Sequence, residues 1–77
     1  MYILKSHKNN QYYIGSTSNL DSRLVLHNTG KVKSTRLYRP WSIYYFEKFQ
    51  DYRNAILRER QVKGWKSRAM IEKLKLS

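Results

Sequence analysis

The sequence predicts a small α/β fold of the α+β type, in which short antiparallel strands are packed by helices. Three short segments are rich in aromatic and β-branched residues, and two longer segments repeat apolar residues at helical spacing. A polar turn at residues 7–10 separates the first two strand segments and indicates a hairpin. The 77 residues make one domain, 1–77, which buries only about 60% of its unfolded surface.

The hairpin occupies the start of the chain. Residues 2–4 form the first strand, and residues 11–15 form the second, in which Ile14 precedes the closing Gly15. Tyr2 and Tyr13 then lie near the open end of the hairpin. Both tyrosines suit an aromatic core. As a base, Tyr works only where a nearby cation stabilises the phenolate, because its reference pKa is about 10.

A helix over residues 19–28 follows directly. Ser18 and Asp21 make an S-x-x-D start signal with Ser18 as the N-cap, and Gly30 is predicted to end the helix.

The inward face of this helix carries an arginine and a histidine. At 100° per residue, Leu20, Leu24 and His27 share one face, with Arg23 at its edge. Arg23 suits a bidentate phosphate contact, and His27 could shuttle a proton or bind phosphate. The alternatives are a structural salt bridge for Arg23 and a hydrogen-bonded core position for His27. The strand, turn and helix therefore look like a site for a negatively charged group.

Residues 29–40 have no clear period and are expected to lack regular structure. They carry Lys31, Lys33, Arg36 and Arg39 and no acidic residue. Such long loops are usually functional or disordered, so this one is interpreted as contacting phosphates, with a solvated run of charge as the alternative. The next segment, residues 41–46, is apolar and aromatic without alternation, which predicts a third strand in the centre of the sheet.

Two more helices complete the chain. Asp51 is the predicted N-cap of a helix over residues 52–65, and Ser67 that of a helix over residues 68–75.

Glu59 lies within the apolar stripe of the first of these two helices. The stripe consists of Tyr52, Ala55, Ile56 and Val62. A carboxylate in this position costs several kcal/mol unless it is paired or binds a metal. Either Arg23 neutralises it in a salt bridge, or it holds a hard divalent cation whose other ligands are water and phosphate oxygens.

Charge indicates the class of partner. Sixteen Lys and Arg against five Asp and Glu give a net charge of +11, which favours nucleic acid over other ligands. The chain has no cysteine, so disulfides and thiolate metal sites are excluded. It contains no apolar run of transmembrane length and no signal-peptide pattern, so we expect a soluble, cytoplasmic protein that does not enter a membrane.

An ordered set of short motifs resembles the GIY-YIG nuclease superfamily, in particular its small single-domain members related to the N-terminal nuclease domain of the excision-repair endonuclease UvrC. The motifs are Tyr2-Ile3, Tyr13-Ile14-Gly15, Arg23-x-x-x-His27-Asn28, Arg58-Glu59 and Lys63-x-Trp65. The resemblance implies a three-stranded antiparallel sheet flanked by helices. It also implies metal-dependent hydrolysis of DNA phosphodiester bonds, as in DNA repair.

The resemblance also implies roles for individual residues. One of Tyr2 and Tyr13 would help to activate the attacking water, and Arg23 would stabilise the scissile phosphate. His27 would belong to the proton-transfer network, and Glu59 would bind a single Mg²⁺ or Mn²⁺. Ile14 and Gly15 would be structural parts of the second motif.

Two departures from the family pattern bear on activity. The chain has Met1 where the glycine of the first motif would lie, which predicts that Tyr2 frays. An asparagine that some members carry in the last helix has no counterpart at residues 67–72. Both departures predict weak activity or a need for a protein partner, which could also supply specificity for branched or single-stranded DNA.

Two alternatives to an active nuclease remain. One is a basic module that binds DNA or RNA without chemistry, and the other is a decayed nuclease that acts in repair or recombination complexes. In either case the chain would bind nucleic acid through exposed Lys and Arg side chains. The candidate nucleic-acid contacts are Lys31, Lys33, Arg36, Arg58 and Lys63.

Overall fold

Strands and helices follow one another in the predicted order. A computed structural model describes residues 1–76. Its elements are β1 (Tyr2–Ser6), β2 (Tyr12–Gly15), α1 (Leu20–Asn28), a 3-10 turn (Arg36–Tyr38), β3 (Trp41–Phe46), α2 (Tyr52–Trp65) and α3 (Arg68–Leu76).

The three strands form one antiparallel sheet in the order β2-β1-β3. The predicted three-stranded antiparallel sheet flanked by helices is therefore confirmed. The prediction that the third strand is central is wrong, because β1 is the strand that pairs on both sides. Four of the six residues of β3 are only half-buried, so its aromatic side chains partly cover both faces at an edge of the sheet.

The helices cover the two faces of the sheet separately. Successive strand residues point to opposite faces, so Ile3 and its neighbours Tyr2 and Leu4 enter different clusters. The first core cluster joins Ile3 to residues of α2 and α3 and consists of Met1, Ile3, Ile14, Val62 and Ile71. The second consists of Tyr2, Leu4 and Trp41, against which Leu20 and Leu24 of α1 pack.

The first helix begins one residue later than predicted. The N-cap is Asn19, not Ser18, because the Asn19 backbone is extended and its Oδ1 accepts a hydrogen bond from Ser22 N at 3.1 Å. The predicted stop at Gly30 is confirmed. Gly30 has φ of +81°, and Lys31 N donates to Leu26 O at 3.0 Å, as in a Schellman motif.

The predicted structureless stretch at residues 29–40 is instead an ordered connection. It contains the 3-10 turn, and Thr35 just before that turn is 1% exposed. Trp41 Nε1 donates to Thr35 O at 2.9 Å, and Ser6 Oγ donates to Tyr38 O at 2.6 Å. These contacts attach the segment to β1 and β3, and so they fix the position of Thr35.

Both later helices begin as predicted. Asp51 Oδ1 accepts a hydrogen bond from Arg53 N at 2.9 Å, and Ser67 Oγ accepts one from Met70 N at 3.3 Å. Over residues 1–76, every helix is too short or too polar to cross a bilayer.

Two glycines give opposite predictions for stability. Gly30→Ala should lower the free energy of unfolding by about 1 kcal/mol, because φ of +81° strains an alanine and its Cβ would lie 2.7 Å from the Arg39 guanidinium. Gly64→Ala should raise it by about 0.5–1 kcal/mol, since Gly64 is in α2 and a Cβ there meets no atom within 4 Å. Urea unfolding of both variants provides the measurement. Equal effects of the two substitutions would contradict this account.

Candidate active site

The site is built on a close contact across the sheet. Tyr2 on β1 pairs with Gly15 on β2, and the Tyr2 ring lies over the glycine. A Cβ on Gly15 would lie 2.7 Å from the Tyr2 hydroxyl oxygen and 2.8 Å from the ring carbon that bears it. The glycine is therefore required by this close approach and not by an unusual backbone angle. Because Tyr2 is only 2% exposed, the predicted fraying of Tyr2 is wrong.

The Tyr2 hydroxyl meets the inward histidine of α1. Its oxygen lies 3.0 Å from Nε2 of His27, which is fully buried. The other ring nitrogen of His27, Nδ1, lies 2.8 Å from Thr35 Oγ1. Both imidazole nitrogens thus have a hydroxyl partner, which makes burial of this ring tolerable. Ring packing adds to this, since the Tyr13 and His27 ring centroids are 4.8 Å apart.

Burial sets the charge of both groups. Desolvation, aided by the Arg23 charge, lowers the pKa of His27, so the imidazole is neutral at neutral pH. Desolvation raises the pKa of Tyr2, although the neighbouring Arg23 guanidinium opposes the shift. The resting pair is therefore a phenol beside a neutral imidazole.

Arg23 faces the two tyrosines. The Tyr2 hydroxyl is the main cause that raises the pKa of Arg23, and the Tyr13 hydroxyl acts in the same direction. Arg23 Nε is buried and has no hydrogen-bond partner, which is an unsatisfied donor on a group that never loses its charge. A recess opens beside the guanidinium. Its walls are Ser16, Thr17, Ser18, Arg23 and Tyr52.

Glu59 reaches the same end of the sheet from the opposite face. Its side chain is 19% exposed, and Oε2 accepts a hydrogen bond from Lys63 Nζ at 2.6 Å. The expectation of a salt bridge to Arg23 is therefore wrong, and the partner is one helical turn away. Burial acts to raise the pKa of Glu59, but the hydrogen bond from Lys63 and the nearby Ser16 hydroxyl outweigh it and lower the pKa. Glu59 is thus ionised at neutral pH.

The surroundings of Glu59 fit a cation held by one protein carboxylate. Nowhere in residues 1–76 do three or more His, Cys, Asp or Glu residues group as a metal site. A hard cation that keeps its waters and takes phosphate oxygens does not need such a group. The ammonium group of Lys63 already pairs with the carboxylate. Because the Lys63 side chain is 52% exposed, it can turn into solvent when another cation binds Glu59.

The predicted nucleic-acid contacts fall into two sets. Lys31, Lys33 and Arg36 are exposed on the connection that carries Thr35. Arg58 instead forms a bidentate pair with Glu47 at 2.9 and 3.2 Å, and Lys63 is bound to Glu59. The last two are therefore occupied within the domain.

Two residues at the site were not foreseen from the sequence, Thr35 and Ser16. Ser16 Oγ donates to Ala55 O at 3.2 Å and ties the end of β2 to α2. Neither residue belongs to a periodic pattern in the sequence. Their place at the site is therefore evident only from their contacts in the structure.

Comparison with known families identifies the family of the chain. Residues 1–75 match the family model described as the GIY-YIG catalytic domain. The chain belongs to the GIY-YIG family. This membership places the chain in a nuclease superfamily, whose members generally use a divalent metal.

Several bacterial relatives carry the name UPF0213 protein, which states no activity. One from Bacillus pumilus is 42% identical over 65 residues, covering 83% of this chain and 65% of the relative. Another from Clostridium perfringens is 42% identical over 64 residues, covering 82% and 68%. A third from Oceanobacillus iheyensis is 38% identical over 77 residues, covering 99% and 85%. The chain thus spans just under two thirds of the Bacillus pumilus protein. No solved structure matches it.

Gly15→Ala tests the close approach of Tyr2. The added methyl group must displace a buried tyrosine that is bound to His27, so we expect the free energy of unfolding to fall by about 1–3 kcal/mol. Thermal and urea unfolding measure the loss, and Gly64→Ala is the control without a close neighbour. A Gly15→Ala variant as stable as the wild type would show that the Tyr2 ring does not rest on Gly15.

The buried histidine predicts a pH dependence of stability. The pKa of His27 is lowered in the folded state, so below about pH 6.5 the unfolded state binds more protons and the free energy of unfolding falls. Glu47 and Glu59, whose pKa values are also lowered, act only below about pH 5. Urea unfolding at pH 7.5 and 5.5 should show a larger loss of stability in the wild type than in His27→Gln, because burial also lowers the pKa of the Met1 amino group and both proteins share that loss. An equal loss in both proteins would refute the assignment to His27.

Proposed function

We propose that this GIY-YIG domain is an endonuclease that hydrolyses DNA phosphodiester bonds with one divalent cation, Mg²⁺ or Mn²⁺. The observation that carries the proposal is the convergence of four elements on the end of the sheet beside Gly15. The converging groups are Tyr2, Tyr13, Arg23, His27 and Glu59.

The arginine supports recognition of the scissile phosphate. Arg23 presents a buried, unpartnered Nε beside a recess whose other walls include the hydroxyls of Ser16 and Thr17. A phosphate oxygen in this recess would accept the hydrogen bond that Arg23 Nε lacks. It would also be attracted by the guanidinium charge, which water only partly screens. Charge that develops on the phosphate during attack is stabilised by the same guanidinium.

The buried tyrosine and histidine support removal of a proton from water. A phenolate is not available at neutral pH because burial raises the pKa of Tyr2. Neutral His27 is available, and it contacts the Tyr2 hydroxyl at 3.0 Å. Tyr2 therefore accepts the proton of the attacking water while it passes its own proton to His27.

This relay balances over the reaction. The water oxygen forms a bond to phosphorus, and the bond from phosphorus to the leaving ester oxygen breaks. Tyr2 then gives up the proton that it took from water, which passes through water to the leaving oxygen, and Tyr2 takes its own proton back from the imidazolium of His27. Tyr13, whose ring packs on His27, and Arg23 enclose the reacting groups.

Glu59 is the residue that would hold the cation. Its carboxylate is ionised and already accepts a cationic partner, Lys63. A bound divalent ion supplies Lewis-acid stabilisation of charge on phosphate oxygens. Lys31, Lys33 and Arg36 are exposed and suit contacts with the DNA backbone beyond the site, in branched or single-stranded substrates.

A second candidate is a nucleic-acid-binding module without chemistry. The net charge of +11 favours it, since charge alone supports salt-sensitive binding. Binding in either case should weaken by roughly 0.9 log units per phosphate contact for each log unit of salt. The two candidates differ in whether metal and Glu59 matter.

Glu59→Gln should lower metal-dependent nicking of DNA by about 100-fold or more, because the amide removes the charge that would hold the cation. Supercoiled and branched DNA with Mg²⁺ or Mn²⁺ are the substrates. Glu72→Gln is the control. Glu72 lies on α3, where it accepts a hydrogen bond from Tyr12 and pairs with Arg68, and the substitution should leave the rate unchanged.

The need for metal and Glu59 separates the two candidates, because both predict binding that weakens with salt. Glu59→Gln should bind DNA with at least the wild-type dependence on salt, because Lys31, Lys33 and Arg36 are unaltered and Lys63 is released from its pair. Wild-type protein that binds DNA but shows no nicking with either ion would establish the binding module instead.

A further inference from the structure

Thr35 holds the histidine of the candidate site from its far side. Its hydroxyl oxygen is 2.8 Å from His27 Nδ1, and both residues are almost completely buried. The residue comes from the irregular connection before the 3-10 turn and not from any element that bears the predicted catalytic groups. Its backbone is fixed on both sides. Thr35 N donates to Val32 O at 3.1 Å, and Thr35 O accepts from Trp41 Nε1 at 2.9 Å.

The contacts of Thr35 allow its hydroxyl to accept a hydrogen bond from His27. Besides His27, the oxygen Oγ1 has a second partner, the carbonyl oxygen of Val32 at 3.4 Å. A carbonyl only accepts, so a threonine hydrogen directed towards Val32 leaves a lone pair for a hydrogen on His27 Nδ1.

The contacts of Tyr2 decide between the two tautomers from the other side of the ring. Its hydroxyl faces Arg23, which only donates, and within residues 1–76 His27 Nε2 is the acceptor that lies within hydrogen-bond distance. If Nε2 carried the hydrogen, the hydrogen of Tyr2 would be left without an acceptor in a buried place. Tyr2 therefore donates to Nε2, and that nitrogen is bare.

We infer that Thr35 is a positioning residue that fixes neutral His27 in the tautomer with hydrogen on Nδ1, so that Nε2 can take the proton of Tyr2. The inference rests on the proposed function for its catalytic consequence, but the tautomer itself is a property of the resting protein. Thr35 touches neither substrate nor cation in this role. It also accepts the Nδ1 hydrogen bond of the imidazolium that forms when Tyr2 gives up its proton.

The tautomer is measured directly by nitrogen-15 NMR of histidine-labelled protein at neutral pH. The chain has two histidines, and His7→Gln assigns the signals. We expect wild-type His27 to show a bare Nε2 and a protonated Nδ1. A proton on Nε2 in the wild type would overturn the inference, whatever the variants do.

Thr35→Val removes the hydroxyl and nearly keeps the shape of the side chain, and Thr35→Ser keeps the hydroxyl. In Thr35→Val we expect a mixture of tautomers and a fall in kcat of about 10- to 100-fold with KM unchanged. Thr35→Ser should restore the wild-type tautomer and most of the rate, and Ser34→Ala, at the exposed neighbour, should change neither.

The outcomes separate this inference from the proposed function. If no protein nicks DNA, the proposed function fails, and the NMR comparison still decides the tautomer. If the wild type is active and Thr35→Val has the wild-type tautomer and rate, the inference fails alone. Should Thr35→Val not fold, the wild-type spectrum and the Thr35→Ser comparison decide: a tautomer in Thr35→Ser unlike the wild type counts against the inference.

Discussion

The buried contact between Tyr2 and His27 is the constraint on which this small fold depends. Each polar group left unpaired in such a core would cost about 1–3 kcal/mol, a large share of the stability of a domain this size. The contact therefore needs a glycine opposite Tyr2, a histidine on the inward side of α1, and a hydroxyl from Thr35 behind the ring. These requirements come from separate parts of the chain, so the site and the fold are stabilised by the same interactions.

Much of the fold could be predicted because local chemistry and tertiary structure agree. Aromatic and β-branched runs form strands. Asp51 and Ser67 begin helices through their side-chain oxygens, and Gly30 ends one through its positive φ. The errors have local causes. Ser18 and Asn19 are both good N-caps, and only the backbone geometry decides between them. Half-buried aromatic residues on both faces gave the edge strand β3 the pattern of a central strand.

The candidate site was predictable to the extent that it lies on periodic elements. The helical face of α1 and the apolar stripe of α2 indicate Arg23, His27 and Glu59. Of the two alternatives for Glu59, the salt bridge to Arg23 is wrong, because Lys63 stands at the i,i+4 spacing where ion pairs form on one helix. Thr35 gave no signal, because a single threonine in an irregular segment acquires its importance only from the ring that it contacts.

The pairing of Lys63 with Glu59 has a consequence for how the domain responds to its ionic surroundings. The lysine acts as an internal counterion, so the acid is charge-balanced before any external cation arrives. On the proposed function, removal of divalent ions would stop hydrolysis and leave the chain folded. Folding of this domain would then not depend on the metal, in contrast to domains whose folding requires a structural metal.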